Sequence, residues 1–219
     1  ISEALGDWKA PDDWYKRAIK EKNEWDAYVE KQSGPTNQEE PSYAHAVGAV
    51  YRNSDPSDIV VTAAGGLVGE VVQVWKPKQL NTFETEWGFS CMGYEISGAL
   101  GIKMAKPDQD VVVFVGDGSY LLNNTDIYSS VIYDQKLIII VCDNGGHMVI
   151  NRLQLAKGGK EYICNLRAAR ATNLKFVDFE NHAKSMGANA ETVSSTSELE
   201  AAYKRAKDSD KTYVITIKT

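Results

Sequence analysis

From residue 43 to the end of the chain, short apolar runs alternate with segments of helical character. DIVVTAAGG (58–66), DVVVFV (110–115), KLIIIVC (136–142) and TYVITIK (212–218) are rich in β-branched residues and have few polar positions. Strands of this kind are buried on both faces. Between them, helices are predicted over 43–53, 69–75, 93–105, 122–134, 173–186 and 196–207. Pro77 and Pro107 stop the second and third of these, and Ser197 with Glu200 reads as a capping box for the last. Buried strands alternating with helices predict an α/β fold of three layers, a mostly parallel sheet with helices on both faces. Upstream, Trp14, Ala18, Trp25 and Val29 recur at helical spacing within 12–32. SGPTNQEEPS (33–42) has a glycine, two prolines and no apolar residue, and reads as a linker. The expected division is a helical arm and linker over 1–41 and one globular domain over 42–219.

Composition narrows the function classes. The chain has 219 residues, 43% hydrophobic and 25% charged, enough to bury a core without disulfide or metal staples. A net charge of −6 excludes a nucleic-acid backbone as the expected partner. The cysteines are Cys91, Cys142 and Cys164, an odd number without a CxxC pair, and Cys142 closes an apolar run as a core residue would. A reduced, cytoplasmic setting is expected. No signal peptide or apolar span of membrane length occurs, so no membrane partner is expected. The chain starts at Ile1 rather than Met, and is expected to be a piece of a longer protein.

Two of the apolar runs end in the same way. One leaves through Gly116-Asp117-Gly118, the other through Asp143-Asn144-Gly145-Gly146. A right-handed βαβ crossover makes the two strands parallel and puts both ends at the carboxyl edge of the sheet, where open α/β sheets bind ligands. A carboxylate, an amide oxygen and carbonyls bared by glycine are hard oxygen donors of the kind Mg²⁺ takes. Gly118 and Ser119 begin a helix whose N–H groups favour an anion. Taken separately, Asp117 reads equally as a helix cap and Asn144-Gly145 as a turn. Their placement on successive strands of one unit favours a shared ligand.

GDGSYLLNN…CDNGG resembles the diphosphate–magnesium motif of thiamine-diphosphate enzymes. That resemblance implies that Asp117 and Asn144 bind Mg²⁺ through side chains and Gly146 through its carbonyl. It also implies that Gly116, Gly118 and Ser119 surround the diphosphate. The family has Asn-Asn most often where this chain has Asp143-Asn144, and the departure spares the metal-binding position. FSCMGYEISGALGIKMAKPD is similar to the segment before GDG in the acetolactate-synthase branch. There Ser90, Cys91 and Met92 would flank the cofactor, with Met92 holding it in its bent shape, and Gly65 and Gly66 would admit the diphosphate to the backbone. With DIVVTAAGGLVGEVVQVWKPKQLNTFETEWGFSCMGYEISGALG and VINRLQ, the similarity narrows, over roughly 40–170, to hydrolases that open a cyclic 1,2-dione in inositol catabolism.

The resemblance places the partners outside the chain. It implies an N-terminal pyrimidine-binding domain that supplies the activating glutamate, a homodimer or homotetramer, and a small-molecule substrate. No catalytic residue is therefore assigned within 1–219, and Glu70, Glu84, Glu86 and Glu95 are expected to be structural. His147 follows the metal loop, facing either the substrate or solvent; His45 and His182 are expected to be solvated. Alternative readings are the diphosphate-binding part of a carboligase, a 2-oxoacid decarboxylase or a 2-oxoacid oxidoreductase, and a non-catalytic interaction domain that kept the fold. The presence of Asp117, Asn144 and Gly146 together speaks against the last.

Overall fold

The computed structural model describes residues 2–168 and 177–219. The chain forms two compact units, Ile1–Gln32 and Ser33–Thr219.

The first unit contains α1 (Ser2–Leu5) and nearly all of α2 (Asp12–Ser33). Asp12 and Asp13 in the first turn of α2 and Lys31 in the last complement the helix dipole. Ion pairs four residues apart, Arg17–Glu21 at 2.7 Å, Lys20–Glu24 at 3.7 Å and Lys22–Asp26, line its surface. Trp14 and Trp25 are 66% and 48% exposed, so the helical spacing of the tryptophans marks the helix without marking a core.

The second unit is built on a six-stranded sheet of order β2-β1-β3-β4-β6-β5, parallel at every pairing. The strands are β1 (Ile59–Thr62), β2 (Phe83–Thr85), β3 (Val111–Gly116), β4 (Ile138–Asp143), β5 (Asn189–Val193) and β6 (Tyr213–Lys218). The helices are α3 (Tyr43–Arg52), α4 (Leu67–Val74), α5 (Tyr94–Ala105), α6 (Asp117–Leu122), α7 (Asp126–Ile132), α8 (Met148–Ala156), α9 (Phe179–Ser185) and α10 (Thr196–Asp208). On one face Val111, Val113, Val115, Ile139 and Val141 pack with Ile96 and Ala99 of α5, Tyr120 of α6, Ile127 of α7 and Phe179 of α9. Strand residues alternate between faces. Phe114 therefore points the other way, where it meets Trp75 edge-on after α4, and α3, α4 and α10 cover that side. This is the expected three-layer α/β architecture.

Three expectations need correction. The helix predicted over 122–134 is α7, which starts only at Asp126, and a separate short helix, α6, ends at Leu122. The chain breaks between them at Asn123, whose side-chain amide donates to the Gly93 carbonyl at 3.3 Å and to Ser97 Oγ at 2.9 Å. The cap of α10 is Ser195, not Ser197: Ser195 Oγ accepts from Glu198 N at 3.2 Å, and Glu198 in turn accepts from Ser194 N at 2.8 Å. The helix predicted over 173–186 appears as α9, with 173–176 outside the described residues. Sequence patterning also missed β2, β5 and α8. β2 and β5 are the sheet's edge strands and are only partly buried, so they lack a continuous apolar run.

Candidate functional site

The register places the site. β3 and β4 pair up to Gly116 opposite Cys142, and β4 ends one residue later at Asp143, so the two strand ends lie side by side. β1 lies on the other side of β3 and sends Ala64, Gly65 and Gly66 to the same edge. A cavity of about 220 Å³ opens there. Gly116, Asp117, Gly118 and Ser119 line it from the end of β3, and Gly65 and Gly66 from the end of β1. Asn144, Gly146 and His147 line it from the end of β4, and Ser90 and Met92 from the loop before α5. Cys91 is the exception among the residues singled out from sequence. Its side chain is exposed and does not line the cavity, while its backbone N–H donates to Glu86 Oε2 at 2.7 Å.

Asp117 is 1% exposed, and neither carboxylate oxygen has a hydrogen-bond partner of normal geometry among the described residues. Burial, and secondly the charge of Asp143, push its carboxyl up to about 7, while the backbone N–H groups of Gly118, Gly146 and Asn144 offset part of the rise. Native proteins rarely leave such a group unpaired. Asn144 and Gly146 line the same cavity, so the donors gathered there are a carboxylate, an amide and a backbone carbonyl, the oxygen types that hard cations take.

The loop after β4 is shaped by its glycines and by Asp143. Gly145 N donates to Asp143 Oδ1 at 3.0 Å, and Gly146 N to Asn144 Oδ1 at 3.2 Å. Gly146 sits at φ 140°, and a Cβ there would lie 2.3 Å from the Cys164 carbonyl oxygen. Only glycine fits that conformation at that approach. His147 is exposed and lays its ring over Gly118, where a Cβ would come within 2.6 Å of Nδ1.

Tyr43, the first residue of α3, was not visible as a site residue. It lines the cavity, and its hydroxyl accepts a hydrogen bond from Asn144 Nδ2, 101 residues away in the chain. Burial raises its phenol well above the ordinary value, so it stays protonated. A lone tyrosine after a linker carries no sequence signal for such a contact. Glu86 and Glu95 accept hydrogen bonds from loop backbone around the cavity. Two histidines are not the solvated side chains expected. His45 closes the capping box of α3 with Ser42, and His182 Nδ1 lies 2.9 Å from the hydroxyl of buried Tyr120.

Residues 63–217 match the family of thiamine pyrophosphate enzymes at their C-terminal TPP binding domain. The chain belongs to this family. Thiamine pyrophosphate is thiamine diphosphate, and the matched segment includes the β1, β3 and β4 ends that form the cavity. The domain is 39% identical over 164 residues to a 3D-(3,5/4)-trihydroxycyclohexane-1,2-dione hydrolase of Halalkalibacterium halodurans, covering 75% of this chain and 26% of that protein. It is 38% identical over 197 residues to the enzyme of that name from Lacticaseibacillus casei, covering 90% of this chain and 30% of the relative. The chain thus spans less than a third of the relatives it matches. A thiamine diphosphate-dependent 4-hydroxybenzoylformate decarboxylase of Rhodococcus jostii RHA1 shares the fold, with a TM-score of 0.75 at 18% identity over 84% of this chain and 33% of that one. Among the described residues, no helix of the TPP binding domain or of the preceding unit is long and apolar enough to cross a membrane.

Proposed function

We propose that the chain is the cofactor-binding domain of a thiamine-diphosphate-dependent hydrolase that opens trihydroxycyclohexane-1,2-dione to 5-deoxyglucuronate in inositol catabolism, in the cytoplasm. The observation that carries this reading is the buried, unpartnered carboxylate of Asp117 facing Asn144 and Gly146 in one cavity. The substrate class comes from the names of the relatives. Bound thiamine diphosphate supplies the nucleophilic carbon and electron sink for C–C cleavage.

This chain's residues do the holding. Asp117 and Asn144 bind Mg²⁺ through side-chain oxygens, and Gly146 through its carbonyl. Tyr43 orients the Asn144 amide, keeping its oxygen turned away from the phenol. The Gly118 and Ser119 N–H groups lie in the first turn of α6, where a helix offers no backbone carbonyl to its N–H groups, and they meet the diphosphate, with Gly116 beside them. Gly65 and Gly66 bring backbone close to it without a side chain in the way, and Ser90 and His147 complete the rim. Residues 42–219 form the diphosphate and magnesium domain, and 1–41 an arm and linker. The pyrimidine pocket and the activating glutamate belong to an N-terminal domain in a homodimer or homotetramer.

Met92 supports the bent cofactor in this reading. It is 40% exposed and lines the cavity, so truncation removes little core packing. Met92→Ala in the full-length protein is expected to cut turnover by about 10-fold or more through misplacement of the reacting carbon. Metal affinity and melting temperature should stay unchanged; a lowered melting temperature with normal turnover would make Met92 a packing residue instead.

The reading is tested by assaying the full-length protein against the cyclic dione and against 2-oxoacids. Dione hydrolysis dependent on thiamine diphosphate and Mg²⁺ is expected, and turnover of a 2-oxoacid alone would move the assignment to a decarboxylase or carboligase. Residues 1–219 by themselves are expected to bind the cofactor weakly and to show no dione hydrolysis. Hydrolysis by that fragment at the full-length rate would mean that one of its own carboxylates activates the cofactor.

A further inference from the structure

Glu95, in the first turn of α5, is a carboxylate that is 1% exposed and that no basic side chain neutralises among the described residues. Its partners are two backbone N–H groups and one hydroxyl. Oε1 accepts from Ala64 N at 3.2 Å; Oε2 accepts from Gly93 N at 2.9 Å and from Ser119 Oγ at 2.8 Å. Buried polar oxygens are costly unless their lone pairs are met by hydrogen bonds. Here they are met by three segments that each border the cofactor cavity. Ala64 precedes Gly65 and Gly66, Gly93 follows Met92, and Ser119 stands two residues after Asp117.

The hydrogen bonds also settle where the Ser119 proton goes. A serine hydroxyl has one proton to donate and lone pairs to accept. Ser119 donates to Glu95 and accepts from Gly93 N at 2.8 Å. It has no proton left for a phosphate oxygen. Gly93 is held from its other side as well. It sits at φ 94°, and a Cβ there would lie 2.7 Å from Asn123 Cβ, whose side-chain amide donates to the Gly93 carbonyl. The residue that follows Met92 is therefore fixed at both its N–H and its C=O.

We infer that Glu95 is a positioning residue of the cofactor pocket: it fixes Met92 through Gly93 and commits the Ser119 hydroxyl, leaving only the Ser119 backbone N–H for the diphosphate. The inference rests on the cofactor reading above. It assigns no proton transfer to Glu95, which does not line the cavity.

The test uses the full-length protein, with calorimetric affinity for thiamine diphosphate in Mg²⁺ as one readout and kcat as the other. Ser119→Ala should leave cofactor affinity within about threefold of wild type, because the hydroxyl makes no contact with it, yet lower kcat about 10-fold through loss of placement. Glu95→Gln keeps the shape but loses one acceptor, and should lower kcat by at least as much. The double variant should fall no more than about threefold below Glu95→Gln alone, since the two side chains act as one unit. A 10-fold loss of affinity in Ser119→Ala would put its hydroxyl on the cofactor and overturn the inference. So would a Glu95→Gln protein with a lower melting temperature but normal kcat. If Glu95→Gln does not fold, Ser119→Ala decides alone: normal kcat refutes the inference, and reduced kcat at unchanged affinity supports it. Absence of metal-dependent cofactor binding by the wild-type protein refutes the cofactor reading itself, and this inference with it.

Discussion

Asp117→Ala in the full-length protein is expected to abolish the Mg²⁺ dependence of thiamine diphosphate binding. The side chain is buried at the end of β3, neither oxygen has a hydrogen-bond partner of normal geometry among the described residues, and no other carboxylate among them lines the cavity. Without it the cation keeps one amide and one carbonyl oxygen, which is too little to displace water from Mg²⁺. Calorimetry with and without Mg²⁺ should show a large difference for wild type and none for the variant. An Asp117→Ala protein that still binds tighter with Mg²⁺ would place the metal elsewhere.

The same carboxyl sets a pH dependence of definite sign. Burial and then Asp143 raise it from 3.8 to about 7 in the folded protein. An acid raised on folding gives its full stabilisation below the unfolded value and loses it as pH rises through the folded value. The metal-free protein should therefore lose stability between about pH 4 and pH 7, by no more than about 4 kcal/mol. Mg²⁺ takes the ionised form, so its affinity should climb toward pH 7 and level off above it. Asp117→Asn should flatten the metal-free profile in denaturant unfolding with chelator present. A variant profile as steep as that of wild type would show that another group governs it.

Lys207→Ala is expected to cost about 3–5 kcal/mol of folding stability without touching the cofactor site. At the opposite, amino edge of the sheet, Asp58 precedes β1 and Asp110 precedes β3. Lys207 Nζ reaches both oxygens of Asp58 at 2.8 Å, Asp55 at 2.6 Å and Asp110 at 3.4 Å. Burial alone would lower its ammonium, but the hydrogen bonds to Asp55 and Asp58 outweigh that and hold it above the ordinary value. Asp58 is 3% exposed, and besides Lys207 it accepts from the Tyr203 hydroxyl at 2.9 Å and the Asp55 N–H at 2.9 Å. Removing the cation leaves a buried carboxylate uncompensated. Denaturant unfolding should show the loss, and Lys207→Ala combined with Asp58→Asn should recover part of it, because the stranded charge is gone. A loss below about 1 kcal/mol would class the cluster with exposed surface pairs.

The sequence alone determined the central strands β1, β3, β4 and β6, because strands buried on both faces must be apolar at every position. It also placed the two strand ends together, since a parallel crossover forces Asp117 and Asn144 onto one edge. Edge strands β2 and β5 escaped, because a half-buried strand needs no continuous apolar run. The late start of α7 was hidden because Asn123 is drawn to Gly93 and Ser97, 30 and 26 residues earlier in the chain. Only the tertiary structure brought Tyr43 to Asn144, turned Cys91 away from the cavity, and joined Ala64, Gly93 and Ser119 on Glu95. Periodicity reports which face of an element is buried. It carries no information about which distant polar atom a side chain meets, and long-range hydrogen bonds decide how this site is held.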